Sequence, residues 1–276
     1  MLSDIKTILV SLNNLKAKDG ALNAARAISE KYDSHIIGLY VIPAIILYEA
    51  PYSFGANAAY TMLHRMYLSK SIEVEQQFNE FLQKNSLSGE FRKVNSVSQF
   101  VSDQTIEHGR QADLIILGED KSSGTDREFQ ARLIEACGRP VLVVPNTTPK
   151  DVPLHSAIVG WDGSRESARA AFDAIPILRL ADNVEITCFN AKKEREISGD
   201  LPGAELAVSL ARYGVKSQAV SEKTRKSPGK ALIERAKHAD MLVIGAYGHS
   251  RLRESLWGGV TQSILSKLPC PVLFSS

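Results

Sequence analysis

Short runs of aliphatic residues alternate along the chain with longer stretches in which apolar residues recur every three or four positions. An aliphatic run of this kind predicts a buried strand, whereas the longer spacing predicts an amphipathic helix. The predicted strands are 7–12, 35–42, 91–94, 113–117, 141–144, 156–161, 184–189, 216–221, 241–244 and 272–274. The predicted helices are 19–31, 60–85, 99–109, 128–137, 164–180, 201–212, 228–238 and 259–267. This alternation favours a mostly parallel sheet covered by helices.

The order of these elements repeats once within the chain, and so do several residues. Segment 106–118 aligns with segment 233–245, with Ile, Glu, Ala, Asp and Gly at matching places, and each half then ends in Pro-Val-Leu. Such self-similarity predicts duplication of one five-strand unit. The 276 residues also suffice for two average domains. We therefore predict two domains, 1–147 and 154–276, joined by a short linker.

A distinctive glycine spacing lies between a predicted strand and a predicted helix in the second half. Gly245, Gly248 and Gly258 are separated by two and by nine residues. Glycines let a backbone approach a ligand closely, and the free N–H groups in the first turn of a helix bind anions. The spacing fits neither the dinucleotide fingerprint nor the P-loop. Any one of these glycines could simply mark a turn, but three in register favour a phosphate site.

This spacing resembles the nucleotide loop of the universal stress protein family, in which Gly-x2-Gly-x9-Gly is followed by Ser or Thr. Gly259 stands where that hydroxyl is expected, and Thr261 matches the second hydroxyl position. Asp162 resembles the family's strand-end Asp that contacts the nucleoside. The resemblance implies that Asp162 and Phe189 lie near adenine and ribose. The residues that it implies around the phosphates are Gly245, Gly248, Gly258, Gly259, Val260 and Thr261.

Three of these residues leave questions open. Asp162 also suits the N-cap of the following helix, because Asp is favoured there. Phe189 also suits the core, since aromatic residues in strands are usually buried. Gly259 keeps its N–H but lacks a hydroxyl, which implies a weaker or altered nucleotide preference by about 0.5–1.5 kcal/mol.

The N-terminal half lacks the same features. Asn13 occupies the place of Asp162, and Glu119 and Asp120 follow the glycine that matches Gly245. Each carboxylate would repel a phosphate by about 1 kcal/mol even in a water-like dielectric. We therefore expect only the C-terminal half to bind a nucleotide.

Composition excludes several other classes of function. The net charge is +2, with 33 basic and 31 acidic residues and no long basic run, so nucleic acid is not a favoured partner. Cys137, Cys188 and Cys270 are widely separated, which favours reduced thiols in the cytoplasm over disulfides or a zinc site. The N-terminus does not resemble a secretion signal. Residues 36–63 carry one charge, but proline and glycine interrupt them, so no membrane span is predicted.

Two further features have competing interpretations. His249, Arg251 and Arg253 could steer phosphates, or they could form ordinary solvated surface. The apolar segment 43–54 could be a loop under the long helix, or an apolar pocket or partner surface. No nucleophile with a base at a readable spacing and no metal-ligand cluster is evident, so enzymatic activity beyond slow ATP turnover is not predicted.

The sequence thus predicts a cytoplasmic α/β protein of the universal stress protein type. Two Rossmann-like units, each with a five-stranded, mostly parallel sheet and helices on both faces, would form an intrachain pseudo-dimer through their terminal strands. The resemblance implies ATP, AMP or ADP as ligand, with or without Mg²⁺, and a role in stress response through an unknown protein partner; a homodimer is compatible with this. The alternatives are a nucleotide-free scaffold, an apolar-ligand binder, or a slow ATP hydrolase.

Overall fold

The structure is a computed structural model, and it describes residues 4–14, 18–45, 54–119, 124–191, 201–247 and 259–276. The strands among these residues are β1 (Thr7–Ser11), β2 (His35–Ile42), β3 (Gly89–Asn95), β4 (Leu114–Gly118), β5 (Val141–Val144), β6 (Ser156–Gly160), β7 (Asn183–Phe189), β8 (Ser217–Glu222), β9 (Met241–Gly245) and β10 (Val272–Ser275). The helices among them are α1 (Lys18–Tyr32), α2 (Phe54–Asn85), α3 (Val101–Gly109), α4 (Gly124–Ala136), α5 (Arg165–Asp173), α6 (Ile175–Leu178), α7 (Ala204–Ala211), α8 (Pro228–Ala236) and α9 (Gly259–Ser266). The predicted alternation of strands and helices is confirmed.

The strands form one ten-stranded sheet in the order β3-β2-β1-β4-β5-β10-β9-β6-β7-β8. Every neighbouring pair is parallel except β5 and β10, which are antiparallel with Leu142 opposite Leu273. We call β1–β5 with α1–α4 the N-terminal unit, and β6–β10 with α5–α9 the C-terminal unit. The two five-stranded sheets therefore meet at their last strands, as predicted, and continue into each other.

The buried residues follow the two faces of this sheet. One core cluster includes Ile28 of α1, Phe78 of α2 and Leu210 of α7. The other includes Leu133 of α4 and Ile264 of α9. Central strands such as β4 and β5 are buried along their whole length, because helices cover both of their faces.

The predicted helix 164–180 is divided into α5 and α6. Pro176 lies in the first turn of α6, directly after the break. A proline lacks the backbone N–H and its ring clashes with the preceding turn, so it is tolerated at the start of a helix but not in its middle. The hydrophobic spacing across the break remained helical, which is why the pattern predicted one continuous helix.

The antiparallel seam between β5 and β10 sets where ligands could bind. Within each unit the carboxyl ends of the parallel strands lie along one edge of the sheet, where α/β proteins bind their ligands. Because the seam is antiparallel, these edges face opposite directions in the two units. Among the described residues, no helix has the length and apolarity needed to cross a bilayer.

Candidate functional site

A cavity of about 310 Å³ lies at the carboxyl edge of the C-terminal unit, where β6, β7 and β9 end. The first turns of α5, α8 and α9 complete its walls. The predicted site residues that line it are Asp162, Phe189, Gly245, Gly259, Val260 and Thr261. The other predicted residues of this region, Gly248, Gly258, His249, Arg251 and Arg253, lie outside the described residues, as do residues 46–53 of the apolar segment.

Asp162 lies in the turn between β6 and α5. Its Oδ1 accepts a hydrogen bond from the backbone N–H of Ser164 at 2.9 Å. The N-cap of α5 is Ser164, whose Oγ accepts a hydrogen bond from the N–H of Ser167 at 3.2 Å. The capping role that Asp162 also suited therefore belongs to Ser164. Asp162 fixes the turn that precedes the cap, and it is exposed at the cavity.

Gly245 ends β9 directly beneath the first turn of α5. A Cβ added at Gly245 would lie 2.4 Å from the carbonyl carbon of Glu166 and 2.5 Å from the backbone nitrogen of Ser167. Only glycine allows this approach, because both neighbours are backbone atoms. The carboxylate of Glu166, which also lines the cavity, is only 12% exposed and pairs with Arg165 at 2.9 Å.

The first turn of α9 forms the opposite end of the cavity. A Cβ added at Gly259 would meet no atom of the described residues within 4 Å, so those residues leave space beside this turn. The first N–H groups of a helix have no partner within it, and the helix dipole adds partial positive charge there. Thr261, in the same first turn, is almost fully buried at 2% exposure. This end of the cavity can bind an anion.

Phe189 and its neighbours give the cavity an apolar wall. The Phe189 ring is partly buried and packs against the core cluster that contains Leu232 and Ile244. The same two residues approach Gly160, where an added Cβ would lie 3.1 Å from Ile244 and 3.3 Å from Leu232. The cavity therefore combines an apolar wall, an exposed carboxylate and a helix N-terminus.

Sequence reasoning missed two aromatic residues of the cavity. Trp161 precedes Asp162, and its backbone N–H donates to the carbonyl of Thr187 at 2.8 Å. Tyr247 lies between two of the predicted glycines and has a φ of 64°, which is unusual for a bulky side chain. Their positions next to predicted site residues were the available signal, but nothing in the pattern separated them from core residues.

The equivalent place in the N-terminal unit is occupied by side chains. Strand register aligns Asn13 with Asp162, and counting back from the matching prolines aligns Gln130 with Thr261. The Asn13 amide donates to the carbonyl of Val41 at 2.7 Å and accepts from its N–H at 2.9 Å. The buried Gln130 amide donates to the carbonyl of Gly118 at 3.2 Å.

A second, larger groove of about 580 Å³ adjoins the cavity at Phe189. Arg235 of α8 donates to Glu222 at 2.6 Å and also to both carboxylate oxygens of Glu185. Burial alone would raise the pKa of Glu185, but hydrogen bonds from Arg235 and Thr187 outweigh it and hold that pKa below its usual range. These charges are thus paired with one another across the groove.

Together, the fold and the cavity define a doubled α/β protein with a pocket at a strand–helix junction. Residues 154–275 match the model of the Universal stress protein family. This match covers the C-terminal unit, and it confirms the resemblance inferred from the glycine spacing.

Solved structures show that the fold extends over the whole chain. A universal stress protein from Archaeoglobus fulgidus DSM 4304 is 14% identical, with a TM-score of 0.75 and 98% of each chain covered. A functionally unknown protein from Pseudomonas aeruginosa PAO1 is 18% identical, with a TM-score of 0.61, and the match covers 98% of this chain and 92% of that one. Comparison with curated proteins gives no match.

Proposed function

We propose that the protein binds an adenine nucleotide, either ATP, ADP or AMP, in the cavity of the C-terminal unit. One observation carries this proposal: a single cavity brings together Asp162, Phe189 and the first turn of α9, which come from three separate parts of the sequence. An adenine nucleotide presents an apolar base, ribose hydroxyls and phosphates, and the cavity has a complementary group for each. Its volume lies within the range of small-molecule sites.

Each residue then has a distinct role. The exposed carboxylate of Asp162 accepts hydrogen bonds from ribose hydroxyls, and the Phe189 ring contacts the base. Gly245, Gly248 and Gly258 let the backbone approach the phosphates, while Gly259, Val260 and Thr261 supply first-turn N–H groups. Because Gly259 has no hydroxyl, one phosphate oxygen loses a side-chain donor.

Nucleotide binding would serve regulation rather than turnover. We propose two functional domains, 1–147 and 154–276, in a cytoplasmic stress-response protein whose nucleotide-bound form differs in shape or in affinity for a protein partner. The N-terminal unit would not bind nucleotide, since amide side chains and the buried Glu119, 5% exposed, occupy the equivalent place. Mg²⁺ would accompany ATP where the phosphates need neutralisation.

Titration calorimetry and thermal unfolding of the full chain test this proposal with ATP, ADP and AMP, each with and without Mg²⁺. Nucleotide at 100 times its Kd should stabilise the fold by about 2.7 kcal/mol. Asp162→Asn should weaken binding by about tenfold, because a charge-assisted hydrogen bond contributes about 1.5–3 kcal/mol. Asp182→Asn is the matched control, since Asp182 is exposed far from the cavity, beside His155.

Absence of binding by all three nucleotides would contradict the proposal and favour the scaffold or the apolar-ligand binder. Phosphate release from ATP that disappears in Asp162→Asn would instead favour the hydrolase. Equal loss of affinity in both aspartate variants would show that the effect is a general change in charge and that the cavity is not the site.

A further inference from the structure

The cavity of the C-terminal unit is connected to the N-terminal unit by a small set of hydrogen bonds. Tyr247 lines the cavity, and its hydroxyl donates to the carbonyl of Ala131 in α4 at 3.3 Å. Residue 131 is 116 positions earlier in the chain and belongs to the other unit. The side chain of one cavity residue therefore crosses the seam between the units.

Two further hydrogen bonds reach the same part of the N-terminal unit. Arg169 of α5 donates to the carbonyl of Gly138, just beyond α4, at 3.0 Å. Ser276, directly after β10, donates through its Oγ to the carbonyl of Ile134 in α4 at 2.8 Å. The elements that carry these donors lie close to the cavity, because α5 lines it and covers Gly245, and β10 pairs with β9, which ends at it.

The backbone of Tyr247 needs such an anchor. At a φ of 64°, a bulky residue is strained, and the strain persists only where surrounding contacts hold it. Tyr247 follows Gly245 by two residues, so its conformation sets the direction of the backbone at the start of the glycine loop, by which we mean residues 245–258. Burial, together with the negative charge of Glu135 on α4, raises the pKa of the phenol, so the hydroxyl keeps the proton that it donates.

We propose that Tyr247 is a positioning residue through which α4 of the N-terminal unit fixes the start of the glycine loop. The N-terminal unit thus contributes to nucleotide affinity without contacting the nucleotide, and binding in the cavity restrains α4 in return, since coupling between two sites is reciprocal. This inference rests on the proposed function for its ligand, but the anchoring itself exists without one.

The experiment compares Tyr247→Phe with Tyr213→Phe in the full chain. Tyr213 is partly exposed and packs edge-on against Phe172, away from the cavity, so its variant is a matched loss of one phenol hydroxyl. Hydrogen exchange of the Ala246, Tyr247 and Glu135 amides is measured first without ligand and then with AMP. Calorimetry gives the Kd for AMP, and thermal unfolding checks the fold.

Without ligand, Tyr247→Phe should speed exchange at Ala246 and Tyr247, whereas Tyr213→Phe should not. The Kd of Tyr247→Phe for AMP should rise by about 3- to 10-fold, as expected for one lost hydrogen bond. The Tm of this variant should stay within about 2 °C of that of the unaltered chain. AMP should protect the Glu135 amide in the unaltered chain and in Tyr213→Phe, but less in Tyr247→Phe.

The proposal is overturned if exchange without ligand is unchanged in Tyr247→Phe, or if both variants have the same Kd for AMP. If the unaltered chain fails to bind AMP, ADP and ATP, the proposed function is wrong. In that case exchange without ligand still decides whether α4 anchors the loop.

Discussion

The two units share one fold but differ at the edge of the sheet where a ligand could bind. In the N-terminal unit, Asn13 pairs with the backbone of β2, and Gln130 covers the carbonyl of Gly118. In the C-terminal unit, Asp162 turns back on its own loop, and the shorter Thr261 leaves an open cavity. The N-terminal unit thus has two side-chain amides that hydrogen-bond to the backbone at the positions where the C-terminal unit has two residues that border the pocket. The two units share the scaffold, and among the described residues these side chains differ at the edge of the sheet.

The largest expected change in stability comes from a substitution at Gly245. Gly245→Ala should destabilise the protein by about 3 kcal/mol, because the new Cβ would overlap backbone atoms at the start of α5. Chemical denaturation measures the change. Gly259→Ala is the control, since no atom of the described residues lies within 4 Å of its added Cβ. Similar losses in the two variants would show that α5 does not pack tightly on β9.

A second difference lies on the sheet face beside the cavity. Glu185 of β7 occupies the position of Ile37 in β2 and is bound by Arg235. Glu185→Gln should cost about 2 kcal/mol at pH 7, because a partly buried arginine loses its charged acceptor. The pKa of Glu185 is lowered in the fold. This stability is therefore present above the ordinary pKa of glutamate and is lost as pH falls through the lowered pKa.

Denaturation curves at pH 7 and near pH 3 measure this effect, and the difference between variant and unaltered chain should shrink at the lower pH. The double variant Glu185→Leu, Arg235→Leu is a further test, because it replaces this ion pair of the C-terminal unit with two apolar side chains. Its stability should lie within about 1 kcal/mol of the unaltered chain, because removing both charges leaves neither one buried alone. A loss as large as that of Glu185→Gln would show that the ion pair itself stabilises the fold.

The closed edge of the N-terminal unit can be tested at Gln130. Gln130→Thr introduces the residue found at the matching place in α9, and it should destabilise by about 1.5 kcal/mol because the carbonyl of Gly118 loses its donor and a small void forms. Gln76→Thr in α2 is the control, because Gln76 is an exposed glutamine in a helix. The change alone should not create a second nucleotide site, since the buried Glu119 remains. Two nucleotides bound per variant chain would contradict this.

The smallest expected effect concerns Gly259. Gly259→Ser restores the hydroxyl expected from the family pattern, and no described residue lies within 4 Å of an added Cβ there. Affinity for ATP should increase about fivefold, equivalent to about 1 kcal/mol for one added hydrogen bond. Calorimetry measures the change, with Gln262→Ser on the outer side of α9 as the control. An unchanged Kd would place the phosphates away from the start of α9.

The sequence predicted the parts of the fold that depend on local pattern. The bounds of β2, β5 and α1 differ from the prediction by no more than one residue, because their hydrophobic spacing is regular and their ends are marked by turn residues. The uninterrupted aliphatic runs of β5 and β10 showed that both strands are buried, but such runs carry no information about which strand lies alongside. The meeting of the two terminal strands was therefore predicted from the family resemblance and not from these runs, and their antiparallel register was added by the structure.

The candidate site was predictable to a similar degree. Gly245 was found from the glycine spacing, and Asp162 and Thr261 were assigned by matching the chain to the pattern of the family that this spacing resembles. Tyr247 could not be found, because its partner is a backbone carbonyl 116 residues away, and a carbonyl has no sequence signature. The replacement of Thr261 by Gln130 was equally hidden, since a polar residue in a helix is usually exposed.

The antiparallel seam has a consequence for assembly. It pairs the last strands of the two units with each other, so both lie inside the sheet. Among the strands that the structure describes, β3 and β8 therefore form the two outer rims of the sheet. These carry Glu90, Arg92 and Lys93 on one rim and Glu222 on the other. Charged side chains on a rim oppose the addition of strands from another molecule. Addition of a strand from another copy is therefore opposed at the rims, and the sheet would end where the chain's own strands end.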